Sequence, residues 1–134
     1  MTIPVNYFME WREHIVLSRN ANPWTYTFRA RGFGGRDYGD FGAEPFTAKL
    51  QFRLYEGAPD APLLTVSTGG SGSRLEGNRW SIMALISNAD LQALPIAGEL
   101  GAPLILHYDL LASTPRGESV SHYGRATIRT GVTR

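Results

Sequence analysis

Three histidines, His14, His107 and His122, are the side chains of this chain that titrate nearest neutral pH and ligate metals most readily. Their spacing serves neither task. There is no His-x-His pair, no HExxH and no carboxylate at a ligand spacing, so surface or edge histidines are the stronger reading over a metal ligand or general base. Asp37, Asp40 and Glu44 are close in sequence, yet they lack the alternating Asp pattern with a terminal Glu that builds a calcium loop. "GGSG" (Gly69 to Gly72) lacks the GK[ST] of a phosphate loop. Ser81, Ser87, Ser119 and Ser121 have no nucleophile-elbow context. The chain contains no cysteine, which removes thiolate nucleophiles, thiolate metal sites and disulfides. No catalytic residue, metal ligand or cofactor is expected, and the chain reads as non-enzymatic.

The remaining chemistry is recognition. "RARGFGGRDYGDFG" (Arg29 to Gly42) superficially resembles an arginine-glycine-aromatic RNA-binding box, which works by charge and stacking. Asp37 and Asp40 offset its basic charge, and the whole chain carries a formal net charge of only +1, so no nucleic-acid partner is expected. Within that Gly-rich loop Phe33, Tyr38 and Phe41, with Arg36, have no alternating strand to place them inside. The N-terminal "TIPVNYFMEW" is likewise apolar, with Ile3, Val5, Tyr7, Phe8 and Trp11 preceding the first turn-bounded strand. An apolar arm either folds back on its own domain or docks on another chain; docking is the reading taken, and both groups are the expected protein-interface residues, by strand addition or by aromatic anchoring. No basic start followed by an apolar run marks a signal peptide, and no apolar stretch is long enough to span a bilayer, so no membrane partner is expected.

These residues must be positioned by strands. The length of 134 residues suits one domain, read as an arm over 1–11 and a single domain over 12–134. "EHIVLS" (Glu13 to Ser18) is a first strand, broken by "NANP". "WTYTFRA" sets Trp24, Tyr26 and Phe28 against Thr25, Thr27 and Arg29. "FTAKLQFRLYEG" alternates Phe46, Ala48, Leu50, Phe52 and Leu54 with polar residues and Tyr55. "LLTVST" is another strand and "GGSGS" a tip. In "WSIMALISNADLQALP", Trp80, Ile82, Ala84 and Ile86 share one face. Ser87 then stands at an N-cap with Asp90 three residues on, Leu91 and Leu94 point back at the sheet, and Pro95 ends the helix. A helix that short is unstable alone, so it must cover one end of the core.

"PLILHYDLLAST" and "ESVSHYGRATIRT" flank "TPRG", whose Pro and Gly suit a three-residue hairpin loop. That register sets Thr114 opposite Glu118, Leu110 opposite His122, Tyr108 opposite Gly124, Leu106 opposite Ala126 and Leu104 opposite Ile128. The Tyr108 ring is expected to fill the space left by Gly124. The fold class that follows is all-β: a two-layer antiparallel β-sandwich of the immunoglobulin-like or jelly-roll type, with about seven strands, one short helix and an N-terminal arm. The expected core includes Phe28, Leu50, Phe52, Trp80, Ile82, Leu91, Leu106 and Tyr108.

The order of these signals carries a resemblance. Asp40-Phe41-Gly42-Ala43 leads into "FTAKLQFRLYEG"; "EGNRWSIMALISNADLQAL", "LHYDL", "YGRATI" and a terminal "GVTR" follow. This succession resembles that of small β-sandwich structural proteins of tailed bacteriophages, such as upper-baseplate N-terminal domains and tail- or fibre-anchoring proteins. The resemblance implies a virion component assembled in the host cytoplasm, present in multiple copies at the tail, baseplate, neck or fibre attachment region. Its partners would be other virion proteins and copies of itself, and no catalytic residues come with it. A host-surface glycan-binding module and a capsid decoration protein are the alternatives.

Overall fold

The computed structural model describes residues 8–29, 46–78, 81–95, 102–115 and 119–129. The described strands are β1 (Phe8–Arg12), β2 (Ile15–Ser18), β3 (Trp24–Arg29), β4 (Thr47–Arg53), β5 (Leu64–Ser67), β6 (Arg74–Asn78) and β7 (Ser81–Ile86). The helix α1 (Asn88–Ala93) follows, then β8 (Leu104–Ser113) and β9 (Ser119–Arg129). They form two packed sheets. The larger has the order β1-β9-β8-β4-β5, with β2 also on β9; the smaller has the order β3-β7-β6. The all-β sandwich expected from the alternation is present.

Most of the pairing is antiparallel. The long hairpin of β8 and β9 has the expected register, with Leu110 on His122, Tyr108 on Gly124, Leu106 on Ala126 and Leu104 on Ile128. Strand β4 lies antiparallel to β8 and β5, and β7 to β3 and β6. The exception is the N-terminal pair. Both β1 and β2 run parallel to β9, Phe8 on Ser119 through Arg12 on Tyr123, then Ile15 on Ala126 through Ser18 on Arg129. The offset is the same for both, 119 − 8 and 126 − 15, so β1 and β2 are one strand interrupted at Glu13 and His14.

This placement moves a boundary. The sequence places Phe8 to Trp11 in an arm outside the domain, but Phe8–Arg12 is a strand of the domain's own sheet. The period-2 series Trp11, Glu13, Ile15, Leu17 already carried that information, obscured by the acid in its middle. Strand β6 follows the "GGSGS" tip and is a strand the sequence reading does not assign; Leu75 gives it one buried anchor, opposite Ala84. The interrupted first strand and β6 together account for more strands than expected.

Inner faces meet in one core containing Ile15, Leu17, Phe28, Leu50, Phe52, Ile82, Ile86, Leu106, Tyr108, Leu110 and Ile128. Each fully buried Leu, Ile or Phe contributes about 1.5–3 kcal/mol relative to exposure. Of the expected core residues, Trp80 lies outside the described residues. Leu54, expected inside, is 51% exposed, because β4 ends at Arg53 and the chain turns before Leu54 reaches the inner face.

Helix α1 caps one end of this core. Ser87 is its N-cap, accepting a hydrogen bond from the Asp90 amide, and Leu91 and Leu94 are buried. A distant cation holds the other terminus. The buried Arg19 guanidinium donates to the carbonyls of Leu94 and of Gln92, the latter at 2.8 Å. Asn88 Nδ2 donates to the carbonyls of Arg19 and Ala21 at 3.1 and 2.8 Å, and Gln92 Nε2 to Arg19 at 2.6 Å. The helix is therefore tied to the β2–β3 turn at both ends, and positive charge meets its C-terminal carbonyls.

Candidate functional site

The interruption between β1 and β2 is the irregular point in the larger sheet, and polar side chains converge on it. In register, Glu13 would sit beside Gly124. Gly124 has φ +154, and a Cβ there would lie 2.0 Å from the Glu13 carbonyl oxygen. Glycine is required because a second backbone passes that close. The expectation that the Tyr108 ring fills the gap is thus corrected. Tyr108 is opposite Gly124, but the space belongs to the Glu13 backbone, to which the Tyr108 hydroxyl donates at 2.9 Å.

The interrupted ladder is repaired group by group. The Glu13 amide donates to the Tyr123 carbonyl at 2.9 Å. The Glu13 carbonyl accepts from Tyr108. The Arg125 amide, deprived of a strand partner, donates to His14 Nδ1 at 3.1 Å. Buried backbone groups need such replacements, and they direct Glu13 inward and His14 outward.

On the inner side the Glu13 carboxylate bridges the two sheets. Oε2 accepts from the Tyr26 hydroxyl on β3 at 2.6 Å, and Oε1 is 3.3 Å from His122 Nδ1 on β9. His122 is wholly buried, stacked on Trp11 with ring centroids 5.2 Å apart and tilted against Phe28 at 5.5 Å. The hairpin register points His122 inward, onto a face otherwise apolar, and there it is buried; its grouping with surface or edge histidines is what the structure corrects, and one carboxylate partners its Nδ1. Nε2 has no hydrogen-bond partner among the described residues. The carboxylate–imidazole pair therefore has the orienting half of a catalytic triad without a hydroxyl held by the ring. A cleft of about 200 Å³ between the sheet edges, lined by Trp11, Glu13, Tyr26 and Arg29, opens onto the carboxylate. Burial, the negative charge of Glu13 and the neighbouring Tyr26 push the Tyr108 phenol far above its usual range, so it stays protonated as a donor.

On the outer side a shallow groove of about 470 Å³ crosses the sheet. Its rim and floor include Arg12, His14, His107, Tyr123 and Arg125, with Leu54, Tyr55, Glu56 and Ile105 at one end. The register explains the grouping. His14, Arg125, His107 and Arg53 occupy successive strands in one row, with Arg12, Tyr123 and Asp109 in the next. Arg53 is engaged by Asp109 at 3.5 Å. Arg12 and Arg125 are exposed, and their guanidiniums have no ion pair among the described residues. The outer face is also apolar in patches: Val16, Leu54, Tyr55, Ile105 and Leu111 are each at least 50% exposed.

The interface residues expected from the sequence are only partly within view. Ile3, Val5, Tyr7, Phe33, Arg36, Tyr38 and Phe41 lie outside the described residues, and Phe8 is described only as backbone in β1. Trp11 packs within its own domain, against His122. The sequence reads Glu13 and Tyr26 only as strand residues and gives no sign of the Arg12–Arg125 pair; the acid inside an apolar alternation is the one local signal of an unusual position. Among the described residues no group of three or more His, Cys, Asp or Glu is placed to hold a metal, and no helix is long and apolar enough to cross a membrane. A scan against protein-family models matched none, and a search of curated proteins found no match.

Proposed function

We propose that this protein is a non-enzymatic structural component of a tailed-bacteriophage virion, assembling in multiple copies through the outer face of its larger sheet. The observation that carries the proposal is that face, where Val16, Ile105, Leu111, Leu54 and Tyr55 stand open beside charged residues. Large apolar side chains gathered on one face of a soluble domain mark an interaction surface. The motif order adds support: its described parts fall on β4, β6–β7, α1, β8 and β9, in the succession that resembles small tailed-phage sandwich proteins. In this reading the Glu13–Tyr26–His122 bridge is structural, locking the two sheets so that the outer face stays flat enough to dock.

Val16→Asp and Leu111→Asp test this without touching the groove lining. Native mass spectrometry of the purified protein is expected to give a defined oligomer that both variants lose, and recovery in purified particles should fall with it. A wild-type monomer, together with full incorporation of both variants, overturns the proposal.

A second reading, recognition of a host-surface glycan, is favoured by the groove itself, which places two phenols and two unpaired guanidiniums on one exposed face.

A further inference from the structure

The geometry points to the ligand class of that groove: a carboxylate-bearing saccharide, held by Arg12 and Arg125 and stacked on Tyr55 and Tyr123. This inference deepens the glycan reading and rests on it. Four observations converge. The volume, about 470 Å³, is in the range of small-ligand sites. Arg12 and Arg125 bring two guanidinium forks to one groove without an acid paired to either among the described residues. The fork matches a carboxylate in two parallel hydrogen bonds. His14 is fixed as a donor: its Nδ1 accepts the Arg125 amide, so the proton resides on Nε2. Finally, Tyr55 is 58% exposed, and with Tyr123 it offers ring faces and hydroxyls to the C–H and O–H groups of a sugar.

A peptide fits less well. Recognition of an extended peptide by strand addition uses an open strand edge. Here the floor is β8 and β9, and each is paired on both sides, β9 with β8 and the interrupted first strand, β8 with β9 and β4. The floor presents side chains and no free backbone ladder. The one acid in the lining among the described residues, Glu56, stands at the end of the groove formed by the turn after β4. It would repel a uniformly charged polyanion there and tolerate a ligand carrying its carboxylate near Arg12 and Arg125.

The test titrates the full chain with a trisaccharide carrying a single terminal uronic acid, with its methyl ester, with inorganic phosphate and with tetraglutamate, following backbone amide shifts by NMR. Saturable shifts at Arg125 and His107 are expected with the acid at millimolar concentration. The methyl ester, which keeps the rings and loses the charge, should bind at least tenfold more weakly. Arg12→Gln with Arg125→Gln should weaken the acid at least tenfold while leaving the rest of the amide spectrum in place. Absence of saturable binding by the wild type overturns the inference, as does unchanged affinity in the double variant. Equal binding of the ester removes the carboxylate from recognition; equal binding of phosphate removes the sugar, and equal binding of tetraglutamate makes the site a peptide site. Each of these three results overturns the inference too. Oligomer formation by Arg12→Gln with Arg125→Gln is read separately, so a failed groove leaves the assembly proposal standing, and the reverse.

Discussion

Gly124 and Tyr108 form one device at the strand interruption, the first admitting the Glu13 backbone and the second donating to its carbonyl. Gly124→Ala would drive a methyl into that carbonyl at a φ that L side chains rarely adopt. A loss of at least about 2 kcal/mol is expected in urea unfolding; a loss under about 0.5 kcal/mol would mean that the Glu13 backbone does not pass there. Tyr108 supplies a pH signature. Its phenol keeps its proton in the folded state while the unfolded chain releases it near the ordinary value of 10.0. Above that pH the unfolded state binds fewer protons, so stability must fall as pH rises, by up to about 1.4 kcal/mol per unit for this one group. Tyr108→Phe should be less stable at pH 7 by about 1–3 kcal/mol, having left the carbonyl unpaired. It should also show a shallower decline between pH 10 and 12. Parallel slopes for the two proteins would remove Tyr108 from the account.

Among elements, α1 shows how a helix too short to stand alone is held. Its leucines are buried on the inside, and Arg19 reaches its C-terminal carbonyls from the turn after β2. Arg19→Met keeps the aliphatic stem and removes the donors. A loss of about 2 kcal/mol is expected by chemical denaturation, and hydrogen exchange should accelerate first at Leu91 and Leu94. If those amides exchange as in the wild type, the helix does not depend on Arg19. The helix itself was legible in the sequence, since Ser87, Asp90, Leu91, Leu94 and Pro95 are local signals. The β8–β9 register was legible for the same reason, with turn chemistry and alternation in agreement. Arg19, by contrast, is separated from its partners by more than seventy residues, and nothing local marks it. The groove was illegible on similar grounds: Arg12, Tyr55, His107 and Arg125 sit on four segments that only the register brings together. Glu13 stood in plain view inside an apolar alternation, but a lone acid there reads as the end of a strand.

At the scale of the molecule, the first strand covers what would be an open flank of β9. Trp11 lies on His122, and β1 occupies the ladder groups of Ser119 to Tyr123. Chains beginning at residue 8 and at residue 13 differ only by this strand. The shorter is expected to melt lower and to scatter light at concentrations where the longer does not, because an uncovered edge pairs with its like. Identical melting would assign β1 no part in the domain's stability.

That parallel pairing also imposes a timetable on synthesis. The partner of Phe8 is Ser119, 111 residues later. At translation rates of about 5–20 residues per second, the N-terminal strand emerges on the order of 5–20 s before the strand it must join exists. Over that interval Ile15 and Leu17 have no sheet to enter, and the nascent chain leaves the ribosome with this interrupted strand still unplaced. Nucleation must therefore come from contacts closer in sequence, the β8–β9 and β6–β7 hairpins, with Phe8 to Ser18 among the last residues to be fixed.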